Sequence, residues 1–583
     1  MPTLEWIGKS KVINHHQEVP FRVLERQYSY DEQGQHEEDN GSENMIIRGD
    51  NLEALKALLP RYEGRVKCIY IDPPYNTGNE GWVYNDNVND PKIKKWLGEV
   101  VGKEGEDLTR HDKWLCMMYP RLKLLQKLLA EDGVIFISID DTEYANLKLI
   151  CDEIFGSNCF VSNISWQRTY STRNDSKGIV NEVEHLLVYS KQPNWSPNKL
   201  PRTAEMDSKY KNPDNDIAPW RSDNAYAADA ATHQGMVYAI QHPFTGKMLY
   251  PSNGAHWRYS QEVMLESMRG WCDYELRDLN DAHERAVVCG VADEDVRQGV
   301  QAIVLSEPLE ISAQKAQAVY DRGQWPRFFF TKGGKGGIAR KTYLENVGGK
   351  LPTNFWPFSE TGHTDEAKKE MLAIFDGKAT FDTPKPRRLL EFVLKVAGSE
   401  DALILDSFAG SGTTAHAVLN MNKADGGHRK FILVEMMDYA DSITAERVKR
   451  VIQGYGEGKN AVEGTGGNFS FYDLGEPLLV GDCLNEAVAP EKIREYIWFM
   501  ETKTPYAPPA GDSPYYLGNH NSTGYYFYYE PQRVTVLDYA FLATIKEKAD
   551  GTVIYADRCS IGEDKLAQMG ITFKKIPRDI SRL

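Results

Sequence analysis

The stretch that decides the fold is IYIDPPYNTGN, residues 69–79. An apolar run typical of a buried β-strand is followed at once by an acid, two prolines and a tyrosine. Consecutive prolines donate no ladder hydrogen bond and fix φ, so the strand must end at Asp72. The sequence therefore predicts a strand whose C-terminal end holds a carboxylate, a proline carbonyl and an aromatic ring in fixed positions.

This stretch is one of four short apolar runs in the first part of the chain, each stopped by polar or turn residues. They are MIIRGDN (45–51), KCIYIDPP (67–74), GVIFISIDD (133–141) and EHLLVYSK (184–191). Between the second and third runs, YPRLKLLQKLLAEDG (119–133) keeps leucines at helical spacing, and Gly133 is expected to end that helix. Strand, helix and strand in this order predict a parallel sheet.

A second α/β block follows after a long intervening segment. It contains the helix TPKPRRLLEFVLKVAG (383–398), the strand and turn ALILDSFAGSGTT (402–414), a further helix and the strand KFILVEM (430–436). The segment between the blocks is rich in Trp, Tyr, Asn, Pro and Gly with weak periodicity, which indicates an inserted domain. We therefore expect an N-terminal arm (1–44), a first core half (45–192), an insertion (193–350), a second core half (351–461) and a C-terminal dimerisation or partner domain (462–583).

The composition is that of a globular protein. With 583 residues the chain is too long for one core. The net charge of −16 argues against a protein that coats nucleic acid through bulk charge, but it allows a local basic groove. Eight cysteines form no CxxC pair, which favours reduced thiols in a cytosol and no metal site. The N-terminus lacks an apolar signal region, and no apolar run approaches the roughly 20 residues of a membrane span.

The turn in LILDSFAGSGTTA, residues 403–415, is where a nucleotide-like ligand is expected. A strand ends at Asp406, and a Gly-containing turn after it opens a helix. Glu435 ends the next strand, where a carboxylate can accept hydrogen bonds from ribose hydroxyls. A bare βα turn without a ligand is the alternative. A Walker phosphate loop is excluded because no lysine follows the second glycine, and a dinucleotide fits less well because its pyrophosphate would meet Asp406. A cationic ligand such as S-adenosylmethionine suits that acid better.

The DPPY segment, residues 72–75, is suited to act on an exocyclic amine of a nucleobase. Such a nitrogen is a poor nucleophile because its lone pair is delocalised into the ring. If the Asp72 carboxylate and the Pro73 carbonyl accept its two N–H groups, the developing positive charge is stabilised, while Tyr75 stacks on the base. A strand terminated by a proline-rich turn is the alternative. Because strand ends meet at one edge of a parallel sheet, this loop, the Gly-containing turn and Asp50 are expected to face one another.

These motifs resemble those of the amino-directed DNA methyltransferases, in which DPPY is the catalytic motif and FAGSGTT the cofactor loop. Their order is similar to the permuted β class. GDNLEALKALLPRYEGRVKCIYIDPPYNTGN, the KPRRLLE helix and a tail with VIYADRC and ITFKKIPRDI resemble the modification subunit of type III restriction-modification systems. The resemblance implies an α/β fold: a Rossmann-like S-adenosylmethionine-dependent methyltransferase sheet in permuted order, with an inserted target-recognition domain and a C-terminal α+β region.

By that resemblance each motif position receives a role. The catalytic loop comprises Asp72, Pro73, Pro74 and Tyr75. The cofactor residues are Phe408, Gly410, Gly412 and Thr413 along the methionine part, Asp406 at its amino group, Glu435 at the ribose, Asp50 at the adenine, and Lys385 in the remaining cofactor segment. A lysine at a helix start is as often merely solvated, which is the alternative for Lys385.

The insertion is the expected reader of double-stranded DNA, because the target base must be flipped out of the duplex. Residues of the kinds that grip phosphates and read base edges are mixed here and just before it. The DNA-binding candidates are Arg168, Arg173, Lys332, Lys335, Arg340 and Lys341. A solvated surface loop is the alternative for the last four, and Trp257 and Trp271 are expected in the core rather than against bases.

The resulting prediction is a sequence-specific adenine N6 methyltransferase of a prokaryotic cytoplasm, acting in restriction-modification or phage defence. An Asp at the head of the DPPY motif is usual for adenine enzymes, and cytosine N4 remains the alternative. We also expect a partner subunit, a restriction enzyme or helicase or another defence-system protein, since the sequence has no Walker loop or recognisable nuclease cluster. The tyrosine-rich C-terminal region is expected to form a homodimer or to dock that partner. Two other hypotheses are a DNA-recognition subunit of a larger defence complex and a methyltransferase that acts on RNA or protein.

Overall fold

The structure, a computed structural model, describes residues 3–77, 107–170, 179–504, 506–509 and 513–578. The chain forms two compact units. The larger comprises Met1–Asn198 together with Pro352–Leu583, and the smaller is the inserted unit Lys199–Leu351. All eight cysteines are free thiols. Among the described helices, none is both long enough and apolar enough to cross a membrane.

The larger unit is built on one mixed sheet that has eleven strands within the described residues. In chain order they are β1 (Arg22–Asp31), β2 (Gly34–His36), β3 (Met45–Arg48), β4 (Val66–Ile71), β5 (Leu129–Ile139), β6 (Phe160–Gln167), β7 (Val183–Ser190), β8 (Phe355–Trp356), β9 (Leu403–Asp406), β10 (Lys430–Glu435) and β11 (Phe469–Pro477). The spatial order is β8-β6-β7-β5-β4-β9-β10-β3-β11-β1-β2.

The centre of this sheet is parallel. Strands β5, β4, β9, β10, β3 and β11 pair in parallel, whereas β7 runs antiparallel to both β5 and β6. The carboxyl ends of β4, β9 and β10 therefore meet at one edge, where Asp72, Asp406 and Glu435 lie. The predicted α/β fold with a parallel sheet at its centre is confirmed.

Helices flank the sheet and bury its apolar strands. The main ones are α1 (Asn51–Tyr62), α2 (Asp107–Leu128), α3 (Tyr144–Phe155), α4 (Arg387–Ala397), α5 (Thr413–Asp425) and α6 (Glu446–Gln453). Other helices of this unit are Lys9–Val12, His15–Glu18, Phe358–Thr361, Thr364–Ile374, Pro490–Thr502, Tyr539–Leu542 and Glu563–Gln568. Ile69, Leu405 and Ile432 in the central strands are fully buried, so the loops at their ends rest on a rigid core.

The N-terminal arm expected over residues 1–44 is instead part of the fold. Strand β1 pairs antiparallel with β11 in the large sheet. The ring of Tyr28 stacks parallel to that of Phe471 with centroids 5.1 Å apart. The prediction was wrong because most side chains of β1 are only half-buried, so its composition can be polar although its backbone is paired.

The helix before β5 ends earlier than the sequence suggested. Helix α2 stops at Leu128 and β5 begins at Leu129, so Gly133 lies inside the strand. A Cβ at Gly133 would lie 2.8 Å from the carbonyl oxygen of Val66 and 2.9 Å from that of Ala130. The glycine is required by this close backbone approach, and not by a helix end.

The inserted unit, described throughout, has its own sheets and core. Its strands form a four-stranded sheet (Met248–Leu249, Ile240–Gln241, Ala302–Leu305, Tyr274–Arg277), a three-stranded sheet (Phe328–Phe330, Ile338–Tyr343, Trp220–Asn224) and the pair Tyr226–Ala228 with Ala255–Trp257. Its helices are Ala204–Asp207, Gln261–Arg269, Ala282–Cys289, Leu309–Arg322 and Thr331–Gly334. The two ends of the unit are joined, because Leu200 and Lys350 exchange both backbone N–H···O bonds at 2.8 Å.

The C-terminal region belongs to the larger unit but has a small sheet of its own. Within residues 513–578, its four strands are Tyr516–His520, Thr523–Phe527, Gly551–Ala556 and Ile571–Lys575. Ile493 and Trp498 of the helix Pro490–Thr502 pack with Leu517 and Phe527 of this sheet in a separate apolar cluster.

Shortening one central side chain is expected to destabilise the larger unit strongly. Leu405→Ala removes a fully buried side chain between β4 and β10, which costs about 2–5 kcal/mol. Leu372→Ala is the matched control, because this leucine is 37% exposed on a surface helix. Urea unfolding at 25 °C measures both, and equal losses would contradict the described core.

Candidate functional site

The segment after β4 presents a carboxylate that is engaged on both oxygens. Lys385 donates from Nζ to Asp72 Oδ1 at 2.8 Å and to Oδ2 at 2.6 Å, and the hydroxyl of Tyr75 donates to Oδ1 at 2.9 Å. Burial raises the pKa of Asp72, and Lys385 offsets part of this effect. The predicted catalytic loop is therefore ordered around an ion pair.

Buried contacts hold the rest of this loop. Trp114 donates from Nε1 to the carbonyl of Pro74 at 2.7 Å. Asn76 adopts φ of 62° and donates from its side chain to Glu143, which is fully buried and lies 2.5 Å from Nδ1 of His111. The sequence did not single out Trp114 or Glu143, because neither stands in a motif. Their contacts fix the direction of the backbone on both sides of Tyr75.

A second carboxylate, Glu184 from β7, completes the cluster. Its Oε2 accepts the Tyr75 hydroxyl at 3.1 Å and lies 3.7 Å from Lys385 Nζ, while its Oε1 accepts from Arg168 at 2.8 Å. Burial alone would raise the pKa of Glu184, but Lys385 and Arg168 outweigh it and lower this pKa. Burial likewise opposes the charged form of Lys385, but Asp72 and Glu184 raise its pKa. Two carboxylates and two cations thus balance in charge.

The turn after β9 is shaped by its glycines. Gly412 has φ of 79°, and a Cβ there would lie 3.0 Å from the carbonyl oxygen of Thr444. Gly410 has φ of 50°, and a Cβ there would lie 3.1 Å from the ring of Phe381. Side chains at these two positions would be strained and crowded, so no Cβ atom covers the backbone of the turn there.

Two buried carboxyl groups flank this turn. Asp406 accepts from the backbone N–H of Phe408 at 3.1 Å and from the Thr414 hydroxyl at 2.5 Å. Glu435 accepts from the backbone N–H groups of Gly410 at 2.7 Å and Met437 at 3.0 Å. Burial raises the pKa of each acid to about 7. Neither carboxyl group has a cation among these partners.

A buried arginine, which the sequence motifs did not indicate, holds the turn by hydrogen bonds to its side chains. Arg447 of α6 is 1% exposed and donates to Ser411 Oγ at 3.0 Å and Thr413 Oγ1 at 2.7 Å. It also donates to Glu370 Oε2 at 3.2 Å. The helical amphipathicity of its segment gave no signal for this role, because an arginine there is normally on the solvent face.

Asp50 and Lys385, both predicted at the cofactor, make contacts within the chain. Asp50 caps α1, because its Oδ1 accepts from the backbone N–H of Leu52 at 2.8 Å. The carbonyl of Lys385 accepts the Thr413 hydroxyl at 3.3 Å, whereas its ammonium binds Asp72. Lys385 therefore links the glycine turn to the DPPY loop, and its side chain is not merely solvated.

The predicted DNA-binding residues divide into distinct classes. Lys341 was wrongly assigned, because its side chain is fully buried between Asp214 and Asp216. Arg340 pairs with Asp223 at 2.8 Å, while Lys332 and Lys335 are exposed. Arg168 belongs to the Glu184 cluster described above, and Arg173 lies outside the described residues. Trp257 and Trp271 are buried, which confirms their place in the core.

Comparison with known proteins places the chain among relatives of one kind. A family model described as DNA methylase matches residues 66–446. The chain is 34% identical over 440 residues to the Mod subunit of the type III restriction-modification enzyme StyLTI of Salmonella typhimurium, covering 71% of this chain and 58% of the relative. It is 30% identical over 453 residues to the EcoPI Mod subunit of Escherichia phage P1, covering 74% and 63%. The chain thus spans less than two thirds of these relatives' length.

A solved structure gives a weaker likeness. The cytosine-N4-specific PvuII DNA methyltransferase aligns with a TM-score of 0.32 and 13% identity, covering 70% of this chain and 86% of that one.

Removing the buried arginine under the turn is expected to destabilise the larger unit. Arg447→Met removes the donor to Ser411 and Thr413 and one of the two arginines paired with Glu370, which keeps Arg387 at 2.9 Å; the lost buried bonds cost about 1–3 kcal/mol. Arg450→Met on the same helix is the matched control, since Arg450 is 32% exposed in its pairs with Asp376 and Glu446, which contribute about 1 kcal/mol or less. Urea unfolding compares the two variants, and similar losses would refute the bracing role.

Proposed function

This chain belongs to the DNA methylase family, and on that premise we propose that it transfers a methyl group from S-adenosylmethionine to the N6 amino group of adenine in double-stranded DNA. One observation carries the proposal. The DPPY loop and the glycine turn leave the neighbouring parallel strands β4 and β9 at the same edge, joined by Lys385. The family match also confirms the resemblance drawn from these two motifs.

The DPPY loop supplies the groups that an exocyclic amine requires. The Asp72 carboxylate and the Pro73 carbonyl accept its N–H groups and stabilise the positive charge that develops on nitrogen. Tyr75 offers its ring to the base, and its hydroxyl is held between Asp72 and Glu184. Pro73 and Pro74, the latter fixed by Trp114, keep the loop rigid, so little is lost on ordering it.

The residues around the glycine turn fit S-adenosylmethionine. Asp406 and Glu435 are buried acids whose partners described above are neutral donors, which suits a ligand with positive charge and no phosphate. The hydroxyl of Ser407 is buried and has no hydrogen-bond partner among the described residues. When bound, this cofactor supplies an electrophilic methyl group on a sulfonium.

We assign the parts of the cofactor to the residues of this edge. Asp406 holds its amino group, Glu435 the ribose hydroxyls and Asp50 the adenine. The methionine part lies along Phe408, Gly410, Gly412 and Thr413. In this arrangement Lys385 acts on the catalytic loop, because its ammonium is bound to Asp72.

The partners follow from the same premise. The relatives' names describe Mod subunits of type III restriction-modification enzymes, and we propose a homodimer with a restriction partner inside a bacterial cell. The inserted unit is proposed to read the duplex through exposed residues such as Lys332 and Lys335. The region 462–583 is proposed as the docking part for a second copy or for the partner.

Loss of the Asp72 carboxylate is expected to abolish methyl transfer. Asp72→Ala removes the acceptor for the target amine, a loss of at least roughly a hundredfold, while cofactor binding persists. The measurement is long-read sequencing of DNA from methylation-free cells that express each form. Asp132→Ala is the control, because this acid is 74% exposed and pairs with Lys67.

The expected mark is N6-methyladenine at one short motif with the wild type and the control alone. N4-methylcytosine would assign the other base, and an unchanged mark in Asp72→Ala would exclude the proposed mechanism.

Binding of S-adenosylmethionine is expected to strengthen as pH rises through 7. Because burial raises the pKa of Asp406 to about 7, this carboxyl is mostly neutral at pH 5.5 and mostly ionised above pH 7.5. The dissociation constant should therefore fall about tenfold or more over that interval. Calorimetric titration measures it, and Asp406→Asn should weaken binding and reduce its pH dependence. An unchanged slope in that variant would remove Asp406 from the cofactor site.

The same raised pKa has the opposite effect on stability. The folded, ligand-free protein holds a proton on Asp406 that the unfolded chain releases. This group therefore lowers the stability as pH rises from about 4 to about 7, and a bound cation offsets the loss.

A further inference from the structure

Lys385 combines a restricted backbone with a long side chain of an intrinsically flexible type. It stands between Pro384 and Pro386, which restrict the backbone on both sides. Its carbonyl accepts the Thr413 hydroxyl at 3.3 Å. The flexible side chain reaches across the edge of the sheet, and its ammonium lies 5.1 Å from the centre of the Tyr75 ring.

This lysine occupies the place that the target amine needs. An ionised carboxylate has about four acceptor positions. Lys385 uses two of those on Asp72, and the Tyr75 hydroxyl, whose one proton is shared with Glu184, lies 2.9 Å from Oδ1. An ammonium bound there also repels the positive charge that develops on the amine during transfer. In the described arrangement, Asp72 therefore offers the substrate little of its negative charge.

A second acceptor lies within a short movement of the ammonium. Glu184 Oε2 is 3.7 Å from Lys385 Nζ, and a charge-assisted bond of about 2.8 Å requires a shift of roughly one ångström. Glu184 is itself held in place by Arg168 at 2.8 Å and by the Tyr75 hydroxyl at 3.1 Å. The ammonium can thus change partner without leaving the cluster.

We propose that Lys385 is an exchangeable counter-ion, which moves from Asp72 to Glu184 when the target amine enters and returns when the product leaves. Glu184 is a positioning residue, because it acts by receiving the lysine. The exchange keeps the cluster neutral before the base arrives and releases the charge of Asp72 only when the base is present. This inference rests on the proposed methyl transfer.

A double-mutant cycle tests the exchange. The variants are Glu184→Gln, which keeps the shape of the acceptor without its charge, Lys385→Met, and the two combined. The probe is plasmid DNA from methylation-free cells with tritiated S-adenosylmethionine, and the readout is the single-turnover rate at saturating DNA. Equilibrium dialysis of the cofactor shows that each variant is folded and loaded.

Glu184→Gln is expected to slow transfer at least about tenfold with an unchanged cofactor dissociation constant, because the ammonium then stays on Asp72. Adding Glu184→Gln to Lys385→Met should change the rate by less than about twofold, since no lysine remains to be received. If Glu184 served only to hold Tyr75 and Arg168, its loss would be as large in either background. If Glu184→Gln slows transfer by the same factor in the wild type and in Lys385→Met, the proposed exchange is overturned.

Lys148→Met is the matched control. Lys148 is half-buried and pairs with Asp152 at 2.7 Å, away from this cluster, so its loss should leave the rate within about twofold. If the wild type methylates DNA but Glu184→Gln causes the same loss in both backgrounds, the exchange alone is contradicted. A wild type without any transfer contradicts the proposed function and this inference together.

A crystal structure provides a second measurement that does not depend on the variants. The wild type would be bound to S-adenosylhomocysteine and a duplex carrying the motif found by sequencing. Lys385 Nζ is expected about 3 Å from Glu184 and beyond hydrogen-bond distance from Asp72. Retention of both bonds to Asp72 with the base in place would overturn the proposal.

Discussion

The parallel pairing of β4 with β9 is the constraint on which the candidate site depends. Leu405 lies opposite Ile69 in this register, and both side chains are fully buried. Ile404 and Leu405 point to opposite faces of the sheet and are both fully buried, so a slip of one residue would exchange the side chains packed on the two faces and turn Asp406 to the opposite face. The packing of the strands therefore also fixes the distance between two loops that are far apart in the chain.

The edge of the sheet concentrates acids, and the structure tolerates them in two ways. Asp72 and Glu184 are matched by cations of the chain itself, Lys385 and Arg168. Asp406 instead accepts from a backbone N–H and a hydroxyl, and Glu435 accepts from backbone amides. The acids Asp72 and Glu184 are thus neutralised within the chain, whereas the surroundings of Asp406 and Glu435 suit a positively charged ligand. The boundary between these two pairs of acids lies at Lys385, whose carbonyl and ammonium each serve one side.

Much of this arrangement could be predicted from the sequence, because the responsible signals are local. Prolines after an apolar run end a strand, and a Gly-containing turn opens a helix, so both loops and the parallel sheet could be expected. Glu184 and Arg447 could not, since their partners lie far away in the chain and no spacing rule connects them. Lys341 was misassigned for the same reason: a basic cluster in the sequence does not reveal that Asp214 and Asp216 neutralise one of its members. The paired strand β1 was missed because most of its side chains are only half-buried and many of them are polar.

The joined ends of the inserted unit bear on how such a chain can diversify. Leu200 and Lys350 are held together by two backbone hydrogen bonds, which depend on no side chain. This pairing holds the two ends of the inserted unit at a fixed separation, so the length of chain between them adds little to the entropy of closing the larger unit. Recombination could exchange the whole segment between these points while the strands on either side retain their sequence. Selection on the inserted unit and selection on the edge of the large sheet can then proceed independently within one gene.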